Sequence, residues 1–226
     1  MDVPNRARIG RRRAPCVGCE DRRVDEKQSP RVAESHAPAA GVDSRAVVLV
    51  EGISDQRALE ALAERRGRNL DAEGISVVPI GGAQSIGRFL NLFGPQGLGV
   101  RLAGLCDAGE ERDFRRGLER AGLGSDLTRA EMESLGFYVC VADLEDELIR
   151  ALGAASVEQI IAAQGELHSF RTLQKQPAQE GRPIEEQLRR FMGSGGRRKI
   201  RYARLLVDAL DLTRVPRPLD LVLAHI

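Results

Sequence analysis

The sequence predicts an α/β fold: an open, mainly parallel sheet flanked by helices, followed by a helical C-terminal extension. Three observations carry this. Apolar runs of strand length recur at 47–50, 75–80, 100–106 and 137–141. Segments between them place apolar residues at helical spacing, as in Ile86, Phe89, Leu90 and Phe93. Strands that alternate with helices pair in parallel through right-handed crossovers. Beyond residue 152 the pattern is helical only.

The first run, Val47-Val48-Leu49-Val50, stops at Glu51-Gly52. Ser54 is the expected N-cap of the next helix, with Asp55 in its first turn and Ala58, Leu59, Leu62 and Ala63 on one face. Pro79 places the second strand at an edge or ends it early. Gly81-Gly82 reads as a plain loop, and Gly94-Pro95 stops the helix that follows it. The third strand ends at Asp107, and its helix, Glu110 to Ala121, turns Phe114 and Leu118 inward. The fourth strand ends near Asp143, before a helix carrying Leu144, Leu148, Ile149 and Leu152. Ser156 with Gln159 forms an expected capping box. Two further helices are marked by Ile184, Leu188, Phe191 and Met192, and by Ala203, Leu206, Val207 and Leu210. The Gly193-to-Gly196 break separates them.

The domain reading is a disordered tail over 1–44, a catalytic core over 45–152, and a helical extension with a basic segment over 153–226. The tail carries Arg6, Arg8, Arg11, Arg12 and Arg13 but no periodic apolar face. A floppy tail is the simpler reading, and a basic arm for nucleic acid the sharper one. With 42% hydrophobic and 30% charged residues, the composition is that of a globular protein. No apolar run approaches the roughly 20 residues a membrane span needs, so no membrane partner and a cytoplasmic location are expected. Cys16 and Cys19 form a single C-x-x-C without a second ligand pair, which argues against zinc. Cys106 and Cys140 read as buried thiols. Among the histidines, His168 reads as packing, and His225 lies next to a chain end where fraying is the default.

The chemistry-bearing pattern is acidic. Glu51, Asp107 and Asp143 each follow a strand, and parallel strands would bring them to one rim. Asp55, Glu110, Glu145 and Glu147 adjoin them. Clustered carboxylates disfavour one another's ionisation, and a hard divalent cation relieves that, with oxygen ligands selecting Mg2+ or Mn2+ over zinc. For any single residue, the pull of a helix dipole on an acid explains the position as well. The extension has the opposite sign: no acid occurs between Glu186 and Asp208, where Arg189, Arg190, Arg197, Arg198, Lys199, Arg201 and Arg204 fall. Such a block suits a phosphate backbone. An aromatic content of 4% disfavours binding of single strands by stacking.

These residues carry a resemblance. LVEGISDQRALEALA at 49–63 resembles the first motif of Toprim domains. GLCDAGEE at 104–111, VADLEDEL at 141–148 and GRRKIRYARLL at 196–206 resemble the Toprim nuclease domain of the overcoming-lysogenization-defect (OLD) family. The likeness runs from about Arg45 to the C-terminus. It implies a Toprim fold and a divalent-metal-dependent DNA endonuclease that hydrolyses phosphodiester bonds. Glu51, Asp107 and Lys199 would be catalytic. Glu51, Asp55, Asp107, Glu110, Asp143, Glu145 and Glu147 would hold Mg2+ or Mn2+. Two ions roughly 4 Å apart would serve the attacking and leaving oxygens. Arg197, Arg198, Lys199 and Arg201 would bind DNA. Where Toprim domains carry Asp-x-Asp, this chain reads Asp107-Ala108-Gly109-Glu110. Either Glu110 substitutes with a longer reach or one ion is lost. No G-x-x-x-x-G-K-[ST] motif is present, so the alternatives are a scaffold or subunit acting with a separate ATPase, or a Toprim nucleotidyltransferase. Homo-oligomerisation stays open.

Overall fold

The computed structural model describes residues 44–226. The expected tail, with its arginines, Cys16, Cys19 and His36, lies outside the described residues.

Four strands form one parallel sheet: β1 (Ala46–Val50), β2 (Ile75–Pro79), β3 (Arg101–Cys106) and β4 (Phe137–Val139), in the order β2-β1-β3-β4. The central strand β1 is buried at every position, as a parallel strand covered on both faces must be. Its side chains alternate between two cores: Ala46, Val48 and Val50 join one, Val47 and Leu49 the other. Strand β2 lies at an edge, as Pro79 predicts, and ends at that proline. Gly104 in β3 sits where an added Cβ would meet the Phe137 ring at 2.5 Å, so the two strands approach with no room for a side chain between them.

One face of the sheet is covered by α2 (Ile86–Phe93), α3 (Glu111–Arg120) and α4 (Arg129–Ser134). The other carries α1 (Ile53–Arg65), α5 (Leu144–Leu152), α6 (Ala154–Ala163), α7 (Leu167–Gln174), α8 (Ile184–Met192), α9 (Gly196–Ala209) and α10 (Arg217–His225). The C-terminal helices thus share one core with α1. Leu59 and Leu62 of α1, with Leu206 and Val207 of α9, are fully buried, each contributing about 1.5–3 kcal/mol. Arg65 fixes the same pair by donating from Nη1 to the Val207 and Leu210 carbonyls, each at 2.7 Å, at the C-terminal end of α9. No helix among the described residues is long and apolar enough to cross a membrane.

Several local expectations are corrected. Gly52, not Ser54, is the N-cap of α1, because Asp55 at the third helical position accepts from the Gly52 N–H at 2.8 Å. Helix α6 starts at Ala154 after Gly153, which has φ of 79°, so Ser156 lies inside the helix and caps nothing. Strand β4 stops at Val139 rather than Val141, since the Val141 N–H is taken by Glu147 Oε1 at 2.7 Å. His168 is exposed rather than packed. His225 is not frayed: α10 docks on the sheet, and the imidazole packs edge-on to Tyr138. Cys106 and Cys140 are buried as expected, and Tyr202 is buried with them.

Candidate metal centre

The shared direction of the strands brings their C-terminal ends to one rim. Glu51 follows β1, and Asp107 follows its neighbour β3. Asp143 comes four residues after β4 and is the N-cap of α5, accepting from the Asp146 N–H at 2.9 Å. The Glu51 carbonyl accepts from the N–H groups of both Gly81 and Gly82, at 3.1 and 3.2 Å. Those glycines have φ of 74° and 110°, so the pair read as a plain loop is a backbone clasp that side chains rarely allow.

The electrostatics show which acids meet. Burial, then a hydrogen bond with the Glu110 carboxyl and the charges of Asp107, Glu110 and Asp55, push Glu51 up to about 9. Burial and the charges of Asp55, Asp143 and Glu145 push Asp107 up to about 7 against the opposing pull of Lys199. Asp55 is raised chiefly by burial, with Asp143 adding to it, although the Gly52 N–H and Lys199 oppose the shift. Glu145, only 3% exposed, is pushed up to about 7 by burial, and Lys199 again pulls it down. Six carboxyl groups therefore share this rim: Glu51, Asp55, Asp107, Glu110, Asp143 and Glu145.

Two cations reach them from the helical part. Lys199 near the start of α9 places Nζ 3.2 Å from Glu145 Oε2. Burial alone would lower its pKa, but Glu145, Asp55 and Asp107 outweigh burial and raise it. Arg189 of α8 donates from Nε to Asp143 Oδ2 at 2.5 Å. Glu147 does not join the rim. Its Oε1 takes the Val141 N–H, its Oε2 lies 2.9 Å from Arg150, and it braces the turn after β4. In the basic segment, Arg198 stacks over Phe191 with its guanidinium carbon 4.4 Å from the ring centroid. It also pairs with Glu166 at 3.0 Å, and Arg201 pairs with the same carboxylate. Arg197 is exposed and forms no ion pair among the described residues.

Sequence reasoning did not find the Asp143–Arg189 pairing, because it depends on how α8 packs against α5 and no local spacing announces it. Nor did it find Glu166, which holds Arg198, Arg201 and the Tyr202 hydroxyl, the last at 2.8 Å. A lone acid preceding a helix offers no signal for that role.

Among the described residues, no group of three His, Cys, Asp or Glu side chains stands close enough together to hold a metal ion. The donor set nonetheless fits a hard divalent cation. Its members are all carboxylate oxygens. Two of those oxygens, Glu110 Oε2 and Glu145 Oε1, are buried and lack any hydrogen-bond partner. Buried polar atoms normally find one. Six acids against two cations leave an excess of negative charge that protons or a cation must balance.

A parallel sheet in the order β2-β1-β3-β4, with acids after its central strands, is an open α/β fold of the kind the Toprim resemblance implies. Residues 44–108 match the family model for the overcoming lysogenization defect protein-like TOPRIM domain, a span that includes Glu51, Asp55 and Asp107. The C-terminal region of the Xanthomonas campestris pv. campestris OLD protein is similar in structure, with a TM-score of 0.65 at 26% identity, covering 81% of this chain and 92% of that one. The C-terminal region of the Burkholderia pseudomallei OLD protein shares the fold, with a TM-score of 0.63 at 21% identity over 80% of this chain and 96% of that one. No curated protein sequence matches the chain. The chain thus has an OLD-like TOPRIM domain over residues 44–108, within a fold it shares with these OLD C-terminal regions.

Proposed function

We propose that the chain is a divalent-metal-dependent DNA endonuclease that hydrolyses phosphodiester bonds. The observation that carries this reading is the rim itself: six acids, two of them with orphaned buried oxygens, facing two cations. Glu51, Asp55, Asp107, Glu110, Asp143 and Glu145 would hold Mg2+ or Mn2+. Such an ion, when bound, supplies Lewis acidity to a phosphoryl oxygen and lowers the pKa of a bound water.

The chain's own residues do the rest. Glu51, which feels both Glu110 and Asp107, would accept a proton from the attacking water once its own proton has been displaced. Asp107 lies within the fields of Asp55, Asp143, Glu145 and Lys199. Lys199 stays charged, and its ammonium would stabilise negative charge developing on the scissile phosphate. Glu145 holds that ammonium at the rim. Arg197, with Arg198 and Arg201 beside it on α9, would take the DNA backbone, and binding would weaken as salt rises.

The test is a plasmid-nicking assay with Mn2+ or Mg2+. The wild type should nick, Glu51→Ala should not, and both should show the same folded spectrum. A wild type that cuts no DNA with either ion would overturn the reading. Cutting that appears only after a separate ATPase subunit is added would favour the subunit reading over an enzyme active alone.

A further inference from the structure

Arg189 stands apart from the rest of the basic run, because it is the second cation at the acidic rim. Its Nε donates to Asp143 Oδ2, while Asp143 Oδ1 is occupied by the Asp146 N–H. Asp143 is thereby fixed at both oxygens. The arginine is fixed at one nitrogen only. Its Nη1 and Nη2 groups donate no hydrogen bond among the described residues. The side chain is 44% exposed, whereas that of Asp143 is 15% exposed. A guanidinium held this way has one edge anchored and its terminal donors directed elsewhere.

The surroundings limit what those donors can take. Asp146 and Asp107 lie near enough, with Asp143, to favour the charged guanidinium. The other cation at the rim, Lys199, is 3.2 Å from Glu145 on the neighbouring helix. Arg190, the next residue of α8, is exposed and unpaired among the described residues. Two planar N–H donors on a permanently charged fork match the spacing of two phosphate oxygens, which a lysine ammonium does not.

We propose that Arg189 is a substrate-contact residue. Anchored through Nε to Asp143, it presents Nη1 and Nη2 to a backbone phosphate of the nucleic acid beside the acidic rim. This rests on the reading of the chain as a nuclease for its substrate class, but not for its test. Asp143 then has two roles, as a candidate cation ligand and as the post that aims Arg189. A phosphate there would be gripped at two points, by the Arg189 fork on one side and Lys199 on the other.

The experiment measures binding without cutting. Wild type, Arg189→Ala and Arg189→Lys are titrated with a fluorescent DNA duplex in EDTA over a range of salt concentrations. Loss of one phosphate contact should reduce the slope of log affinity against log salt by about 0.9 in Arg189→Ala. Affinity should fall about tenfold. Arg189→Lys should recover the slope, since the charge is restored, but not the full affinity, since the fork is gone. Thermal unfolding of each variant reports whether the Asp143 anchor has merely loosened the fold. Unchanged slope and affinity in Arg189→Ala would overturn the proposal, as would full recovery of affinity by lysine, which would mean that only charge matters. A protein that binds DNA in this pattern yet never nicks it would sink the nuclease reading and leave Arg189 in place. One that nicks normally with Arg189→Ala and binds as tightly would do the reverse.

Discussion

Glu51→Gln should remove a pH dependence from the folding stability of the metal-free protein. In the folded chain, burial, the hydrogen bond to Glu110 and the charges of Asp107, Glu110 and Asp55 push Glu51 up to about 9, against 4.5 for an ordinary glutamate. Between those values the folded chain keeps a proton that the unfolded chain releases, so stability is lost as pH rises from 4.5 towards 9. One proton is worth at most about 1.4 kcal/mol per pH unit. Glu51 is only half-buried, and solvent screening reduces this to about 0.5 kcal/mol per unit, or about 1 kcal/mol between pH 6 and pH 8. For a chain of this size, that is about 2–4 °C in Tm. Asp107 and Glu145, each pushed up to about 7 by burial first, add a slope that fades above pH 7 in both proteins. Thermal unfolding in EDTA at pH 6, 7 and 8 is the assay. The wild type should lose about 2–4 °C more than Glu51→Gln over that interval. Equal slopes would refute the shared proton, and with it the placement of Glu51 among the other acids.

Lys199→Met should leave Glu145, whose side chain is 4% exposed, without its cation. The expected cost by urea unfolding is about 1–3 kcal/mol at pH 8.5. It should shrink at pH 5.5, where Glu145, pushed up to about 7 in the wild type, is protonated in both proteins. Gly104→Ala should destabilise by about 1–3 kcal/mol, because the new methyl would lie 2.5 and 2.7 Å from two Phe137 ring carbons and 3.1 Å from the Leu49 carbonyl. An unchanged urea midpoint would show that β3 and β4 can part without cost.

Much of the architecture was legible because its causes are local. Val47 to Val50 is apolar throughout, which a strand covered on both faces requires, and Pro79 marked the sheet edge through its missing N–H. Helix starts were less legible. Gly52 caps α1 because Asp55 reaches back to its N–H, and a glycine carries no capping side chain to read. Three helices, α4, α7 and α10, went unread. Helix α4 is only six residues long, although Thr128 and Glu131 do form a capping box. Helix α10 begins after Pro216 and carries Pro218 in its first turn.

The site divides in the same way. The convergence of Glu51, Asp107 and Asp143 was expected from parallel strands, with Asp55, Glu110, Glu145 and Glu147 adjoining them, and the electrostatics group all of these but Glu147. Glu147 shares the VADLEDEL segment with Asp143 and Glu145 but points elsewhere, since Glu145 and Glu147, two residues apart on α5, diverge by about 200°. The one-signed run from Arg189 to Arg204 looked like an open basic surface. Folded, much of it is answered by distant acids: Arg189 by Asp143, Arg198 and Arg201 by Glu166, Lys199 by Glu145, and Arg204 by Glu64. Those pairings span 32 to 140 residues of chain order, beyond the reach of any local pattern.

Titrating Mn2+ into the metal-free protein by calorimetry at pH 7, in two buffers of different ionisation enthalpy, tests the acidic rim most directly. Saturable binding is expected, with a net release of protons to the buffer as the cation replaces those held by Glu51 and its neighbours, and with Asp107→Asn binding more weakly. A wild type that takes up no Mn2+, or that binds it as Asp107→Asn does and releases no protons, would show that these carboxylates do not act together as a cation site.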